Sequence, residues 1–243
     1  HAIHRRLGQE WSLWPTLIVS ALLIGVQLLL FMWAPLHGYA LDVSLGYFLL
    51  PLVMVVAGRL FYGERLTAFQ KVAVALAAVG VGHELLRIGT VSWATAVVAL
   101  GYPPYFMLRR RLRMNALAGL WFDMLFLLPL AIWFLAGENP GVFAQFAGRP
   151  ALWVLVPLLG AISSTALVCY LAASRRLPLG VFGILGYVEP VLLFWVAFLL
   201  LGEPMSASAW WTYLPIWLAV LVMAAEGLLS LRRVPAIPGN PEK

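Results

Sequence analysis

Seven residues are costly or disruptive where the sequence puts them, inside long apolar runs. They are Glu189, Asp123 and Gln27, the tyrosines Tyr47 and Tyr187, and the prolines Pro51 and Pro190. A carboxylate in hydrocarbon costs at least ~2.5 kcal/mol, so it faces a cavity, finds a partner or holds a proton. Each of those states suits a protein that moves protons or organic molecules. The candidate substrate- or proton-binding residues are therefore Glu189, Asp123, Gln27, Tyr47 and Tyr187. Pro190 directly follows Glu189 and frees a backbone carbonyl one turn earlier, which is how broken helices build ion and substrate sites. Tyr47 and Tyr187 stand four and three residues before the two prolines, on roughly the face that a kink opens. Pro51 and Pro190 are the candidate hinges.

Other chemistries fit less well. His83-Glu84-Leu85-Leu86-Arg87 begins like a zinc-protease helix, but Arg87 stands where the second imidazole is needed. Ser163 and Ser164 lack a nucleophile elbow. With one cysteine and no paired Cys/His spacing, neither a disulfide nor a metal site is expected. The sequence predicts no cofactor and no enzyme activity. The net charge of +6 comes from cations scattered between apolar runs, not from the continuous basic face that nucleic acid requires.

The elements that must position these residues follow from composition. At 63% hydrophobic and 11% charged residues, the chain is not a water-soluble domain. A bilayer core about 30 Å thick needs about 20 apolar residues as helix. Eight stretches qualify, near 13–34, 43–63, 69–87, 91–108, 115–136, 152–173, 178–201 and 208–230. The sequence thus predicts an all-α polytopic membrane protein with eight spans and a disordered tail over 234–243. Rising 1.5 Å per residue, Glu189 lies roughly 18 Å into its span from Leu177, and Asp123 about 12 Å in from Asn115.

Fourteen of the 16 Lys and Arg residues fall on the side of the N-terminus, leaving Arg87 and Arg149 on the other. Both termini are therefore expected in the cytoplasm. The Arg109 to Arg113 cluster reads as part of that topology signal. Trp11, Trp14, Trp210 and Trp211 read as interface anchors, while Trp33 and Trp195 offer aromatic surface. Pro103 and Pro104 are expected to interrupt the fourth span.

An internal repeat organises the spans. Leu45 to Glu64 (LGYFLLPLVMVVAGRLFYGE) aligns with Ile184 to Glu203 (ILGYVEPVLLFWVAFLLLGE), placing Pro51 on Pro190, Gly63 on Gly202 and Glu64 on Glu203. Both glutamates end a span, where a carboxylate serves the start of the helix opened by Thr67 or Ser206. The same offset carries the first span onto the sixth and the third onto the eighth, so the repeat holds five helices. Five is odd, and the two copies are therefore inverted, the plan of secondary transporters. Spans four and five lack counterparts upstream. The parent protein is expected to have ten helices, of which this chain lacks the first two. Residues 1–88 would hold the remainder of the first repeat and 89–233 the second.

These residues resemble the EamA branch of the drug/metabolite transporter superfamily, and within it the RarD-type permeases. The resemblance rests on Ser20 to Ala34, Ser44 to Leu66, the short span ending in Arg109 to Arg111, and Gly186 to Pro204. Where RarD-type sequences often carry Asn in the first stretch, this chain has Gln27. The resemblance implies a ten-helix permease of the bacterial inner membrane that moves small organic molecules; RarD-type members are described as chloramphenicol-sensitivity proteins. The expectation is a secondary transporter or exporter, coupled to protons by alternating access. Its partners would be a small-molecule substrate, the lipid bilayer and protons, with no indicated oligomer. The alternative is a channel-like or structural membrane subunit, which would need pore-lining rings of carbonyls or charges.

Overall fold

A computed structural model of the chain describes residues 13–112, 114–138, 146–200 and 208–232. Among them the structure is helical, without a strand. The helices are α1 (Leu13–Leu36), α2 (Ala40–Tyr62), α3 (Ala68–Ile88), α4 (Trp93–Leu112), α5 (Ala116–Glu138), α6 (Leu152–Arg176), α7 (Leu179–Leu185), α8 (Val188–Leu200) and α9 (Ala209–Arg232). Trp11, Arg113, Gly202, Glu203, Ser206 and the tail 234–243 lie outside the described residues.

Local chemistry sets the boundaries. Thr67 opens α3 with a full capping box: its hydroxyl accepts the Gln70 N–H, and the Gln70 side chain accepts the Thr67 N–H. Such a cap contributes about 1 kcal/mol. Gly89, at φ +77°, closes the same helix in the left-handed conformation and donates its N–H to the Leu85 carbonyl. The Asn115 side chain accepts the Leu117 N–H at the start of α5.

Two elements differ from expectation. The seventh span is not one helix but two, α7 and α8, parted at Gly186 and Tyr187. Pro190 has no N–H to give to the carbonyl of Gly186, which instead accepts from Glu189 at 3.3 Å. The ladder therefore slips from four-residue to three-residue spacing at this point. Conversely, α4 runs through Pro103 and Pro104 without ending; the pair deprives only Ala99 and Leu100 of their intrahelical donors.

Among the described residues five helices are long and apolar enough to cross a membrane: α1, α2, α6, the 116–134 part of α5 and the 209–229 part of α9. Polar residues set α3 and α4 apart from these. Lys71, His83, Glu84 and Arg87 lie in α3, and Arg109 to Arg111 end α4.

The chain forms two compact units. The first holds residues up to 43 with 93–178. In it α1 packs on α4 and α5, and Gly25 lets α5 approach, since a methyl there would meet Leu127 Cδ2 at 2.6 Å. By contrast, α6 is buried only at Leu171 and Ser174. The second unit holds 44–92 with the residues from 179 onward. Its best-packed pair is α3 and α9, joined along the small residues Ala73, Ala77 and Gly80. A methyl on Gly80 would meet the Thr212 carbonyl oxygen at 2.5 Å, so the two backbones touch, as small residues allow between membrane helices. Phe48, Val55, Ile184, Tyr187, Ile216 and Ala219 fill the core of that unit.

Candidate functional site

In the first unit the polar site lies between α4 and α5. Asp123 is fully buried at 0% exposure. One of its oxygens, Oδ2, accepts the Tyr105 hydroxyl at 3.0 Å and lies 3.9 Å from Nη1 of Arg109. Arg109 is itself buried, and its Nη2 donates to the Ala116 carbonyl at 3.4 Å. Tyr105 and Arg109 are one helical turn apart on α4, so both reach the same patch of α5. Gly119, one turn before Asp123, makes room, because a methyl there would run into the Arg109 guanidinium. Asp123 Oδ1 and Arg109 Nη1 have no hydrogen-bond partner among the described residues. Each such buried atom costs about 1–3 kcal/mol.

Gln27 is the second polar residue sealed into this unit, 2% exposed. Its amide nitrogen donates to the Val97 carbonyl at 2.9 Å, and its Oε1 has no partner among the described residues. A methyl on Gly101 would collide with that amide, so Gly101 is the space Gln27 occupies. Gln27 lines an open cavity of about 490 Å³ between α1 and α4, otherwise walled by apolar residues such as Val19, Leu23, Val97 and Leu100.

The second unit holds the break of the seventh span. Glu189 sits in the first turn of α8, exposed, and its carboxylate has no partner among the described residues. Pro190 is half-buried beside it. Tyr187 is fully buried and donates its hydroxyl to the Phe48 carbonyl at 2.8 Å. Tyr47 is half-buried on α2, and Pro51 is buried inside that helix, which continues past it.

A further cluster joins α3 to α9. The Thr212 hydroxyl, fully buried, donates to Glu84 Oε2 at 2.8 Å. Its only hydrogen is spent there, so His83 Nδ1, at 2.9 Å, is the donor in the remaining bond. Arg87 grips the other side of the Glu84 carboxylate, Nε to Oε2 at 3.2 Å and Nη2 to Oε1. Among the described residues no three His, Cys, Asp or Glu side chains gather as a metal site.

These helices belong to a chain with clear relatives. A chloramphenicol-sensitive protein RarD of Pseudomonas aeruginosa is 51% identical over 232 residues, 94% of this chain and 76% of the relative. The chain belongs to the RarD-type permeases. Protein RarD of Escherichia coli is 32% identical over 93% of this chain and 80% of its own length. An uncharacterized transporter of Haemophilus influenzae is 37% identical over 94% and 76%. No family model matches the chain, so its place in the wider EamA branch rests on the resemblance alone. A solved crystal structure shares the fold at TM-score 0.63 and 18% identity, covering 91% of this chain and 82% of its own. With these relatives and its long apolar helices, the chain is a multi-pass membrane transporter protein.

In this RarD-type chain the residues singled out from the sequence fall in two places. Asp123 and Gln27 lie in the first unit, on different helix pairs; the others lie in the second, Tyr47 and Pro51 on α2 and Tyr187, Glu189 and Pro190 at the junction of α7 and α8. Three features are read incompletely or not at all from the sequence. An arginine partner for Asp123 is one reading of that residue, but the sequence does not single out Arg109, which reads as a topology charge and is buried beside the acid; the signal was Gly119, a missing side chain one turn from the acid. Glu84 and Arg87 form a visible i,i+3 pair, but Thr212, 128 residues away, carries no local signal. Glu64 does not serve the helix opened by Thr67, whose cap Gln70 completes. It accepts instead the backbone N–H groups of Leu179 and Gly180 at the start of α7.

Proposed function

We propose that this RarD-type permease is a secondary transporter of a small organic molecule, driven by protons through alternating access, with Glu189 as the coupling carboxylate. The carrying observation is the break at Gly186 and Tyr187. It ends one residue before an acid that stands in an apolar helix with no partner among the described residues. Discontinuous helices at such positions are where transporters place substrate and ion sites. Asp123, Gln27, Tyr47 and Tyr187 complete the candidate polar set, and Pro51 and Pro190 are the proposed hinges. No cofactor enters this reading.

The reading takes the eight helical stretches as spans of two inverted five-helix repeats, divided at residue 88, in the bacterial inner membrane with both termini in the cytoplasm. One pair of helix starts supports the repeat: Ala40 and Leu179 stand 139 residues apart. The relative's name makes chloramphenicol the first compound to test. In proteoliposomes containing the protein from its complete gene, a pH gradient should drive saturable chloramphenicol flux, and Glu189→Gln should abolish the pH-driven part while leaving the protein monodisperse and helical. Full pH-driven flux in that variant would remove Glu189 from the coupling.

A further inference from the structure

Residues 179–187 are held at three places by α2 and the turn that follows it. At the top, Glu64 Oε1 accepts the Leu179 N–H at 2.5 Å and Oε2 accepts the Gly180 N–H at 2.8 Å. The turn that delivers this carboxylate uses Gly63, at φ +63°, where a side chain would be strained. Gly58 leaves the space it occupies, since a methyl there would meet Glu64 Oε2 at 2.5 Å. Below, a methyl on Gly183 would meet Met54 Cβ at 2.5 Å and the Pro51 carbonyl oxygen at 2.9 Å, so at this point α7 lies directly against the α2 backbone. At the bottom, the buried Tyr187 hydroxyl is held by the Phe48 carbonyl at 2.8 Å. Two residues further on stands Glu189, whose carboxylate nothing among the described residues holds.

We propose that Glu64 is a positioning residue for transport, which with Tyr187 pins α7 to α2 as one body throughout the cycle. The joint of the seventh span is then Val188 to Pro190, and Glu189 moves with α8 against a fixed α7. The proposal rests on the transport reading for the motion of Glu189, but not for the pinning itself. It differs from a gate, in which Glu64 would release Leu179 and Gly180 in each turnover. The carboxylate suits a pin because both of its oxygens are engaged by backbone donors, which no side-chain rotation in α7 can withdraw. The close approach at Gly183 leaves no room for α7 to rotate about its own axis without separating from α2.

A cross-link separates the two. In a Cys169→Ser background, Val55→Cys with Gly180→Cys places thiols at a contact where a Cβ on Gly180 lies an ordinary 3.5 Å from Val55 Cα. With Glu64 intact, oxidising this pair should change pH-driven chloramphenicol flux less than twofold. A loss above tenfold that dithiothreitol reverses would overturn the pin and establish a gate. Adding Glu64→Ala under reducing conditions should lower the maximal rate at least tenfold with KM within twofold, and oxidation should restore it. Failure to restore the rate would also overturn the proposal. A substrate-free measurement decides the same question independently of the transport reading: hydrogen exchange of the Leu179 and Gly180 amides in nanodiscs should rise at least tenfold in Glu64→Ala. Unchanged exchange would sink the pin, whereas unchanged flux in Glu189→Gln with raised exchange in Glu64→Ala would sink only the coupling.

Discussion

Each unit buries a carboxylate beside an arginine, and the two pairs are built differently. Asp123 in the first unit has one hydroxyl on one oxygen, an arginine nitrogen 3.9 Å away, and a second oxygen without a hydrogen bond among the described residues. Glu84 in the second unit has a forked guanidinium and a buried hydroxyl, which in turn accepts a histidine N–H. A fully bonded network of the second kind holds two helices in one arrangement. The half-bonded first kind retains bonding capacity in a place where leaving it unused is costly. The α3–α9 cluster thus has the bonding of a rivet, whereas Asp123 and Arg109 keep unsatisfied atoms; within the transport reading we propose that a proton or a polar group of a substrate binds there.

The comparison breaks most easily at Arg109. Arg109→Leu leaves Asp123 buried without its counter-charge and should destabilise the protein by about 3–5 kcal/mol, read from thermal unfolding in detergent. Arg109→Leu with Asp123→Leu should recover most of that loss, because no unpaired charge remains. A loss below about 1 kcal/mol in the single variant would mean that the pair is no ion pair. Next in size is Gly119→Ala. Its methyl must push the Arg109 guanidinium aside, an overpacking that costs about 1–3 kcal/mol, while Gly82→Ala, with open space around it, should be neutral or stabilising by up to about 1 kcal/mol.

How much of this was legible in the sequence depends on whether the signal was local. The helices α2 to α7 and α9 begin within three residues of the start of an expected span, because long apolar runs bounded by polar turns leave a chain few alternatives. The break before Glu189 was legible too, since a proline announces which carbonyl loses its donor. Its consequence, a full separation of α7 from α8, also needed Gly186 at the same carbonyl. What local patterns could not show was pairing across the fold. Glu64 meets Leu179 across 115 residues, and backbone N–H groups leave no mark on a sequence. The double proline of α4 shows the converse: a strong local breaker does not end a helix that is buried at Ala99, Pro103, Tyr105 and Phe106.

Thr212→Val tests the rivet in the second unit. Valine keeps the shape but removes the donor to Glu84 and the acceptor for His83, and hydrogen bonds between membrane helices are worth about 0.6–2 kcal/mol. A stability loss of about 1–2 kcal/mol is expected, accompanied by faster hydrogen exchange at the ends of α3 and α9 nearest the cluster. No loss would show that the small-residue seam along Ala73, Ala77 and Gly80 holds these helices without help.

The smallest expected effect sharpens the comparison furthest. Arg87 and Arg109 are both arginines beside a buried acid, but the Arg87 side chain is 46% exposed and that of Arg109 4%. With nearly half of its side chain exposed, Arg87 is not sealed from its surroundings, so removing it forfeits less Coulomb energy than removing a buried charge, and Glu84 keeps the Thr212 hydroxyl. Arg87→Gln should therefore cost under about 1 kcal/mol, and added salt should shrink even that difference. The same unfolding measurement on Arg109→Gln should give a severalfold larger loss that salt does not remove, since a sealed pair is poorly screened. Equal losses in the two glutamine variants would mean that exposure does not distinguish the pairs. The assignment of one carboxylate to structure and the other to transport would then have to rest on hydrogen bonding alone.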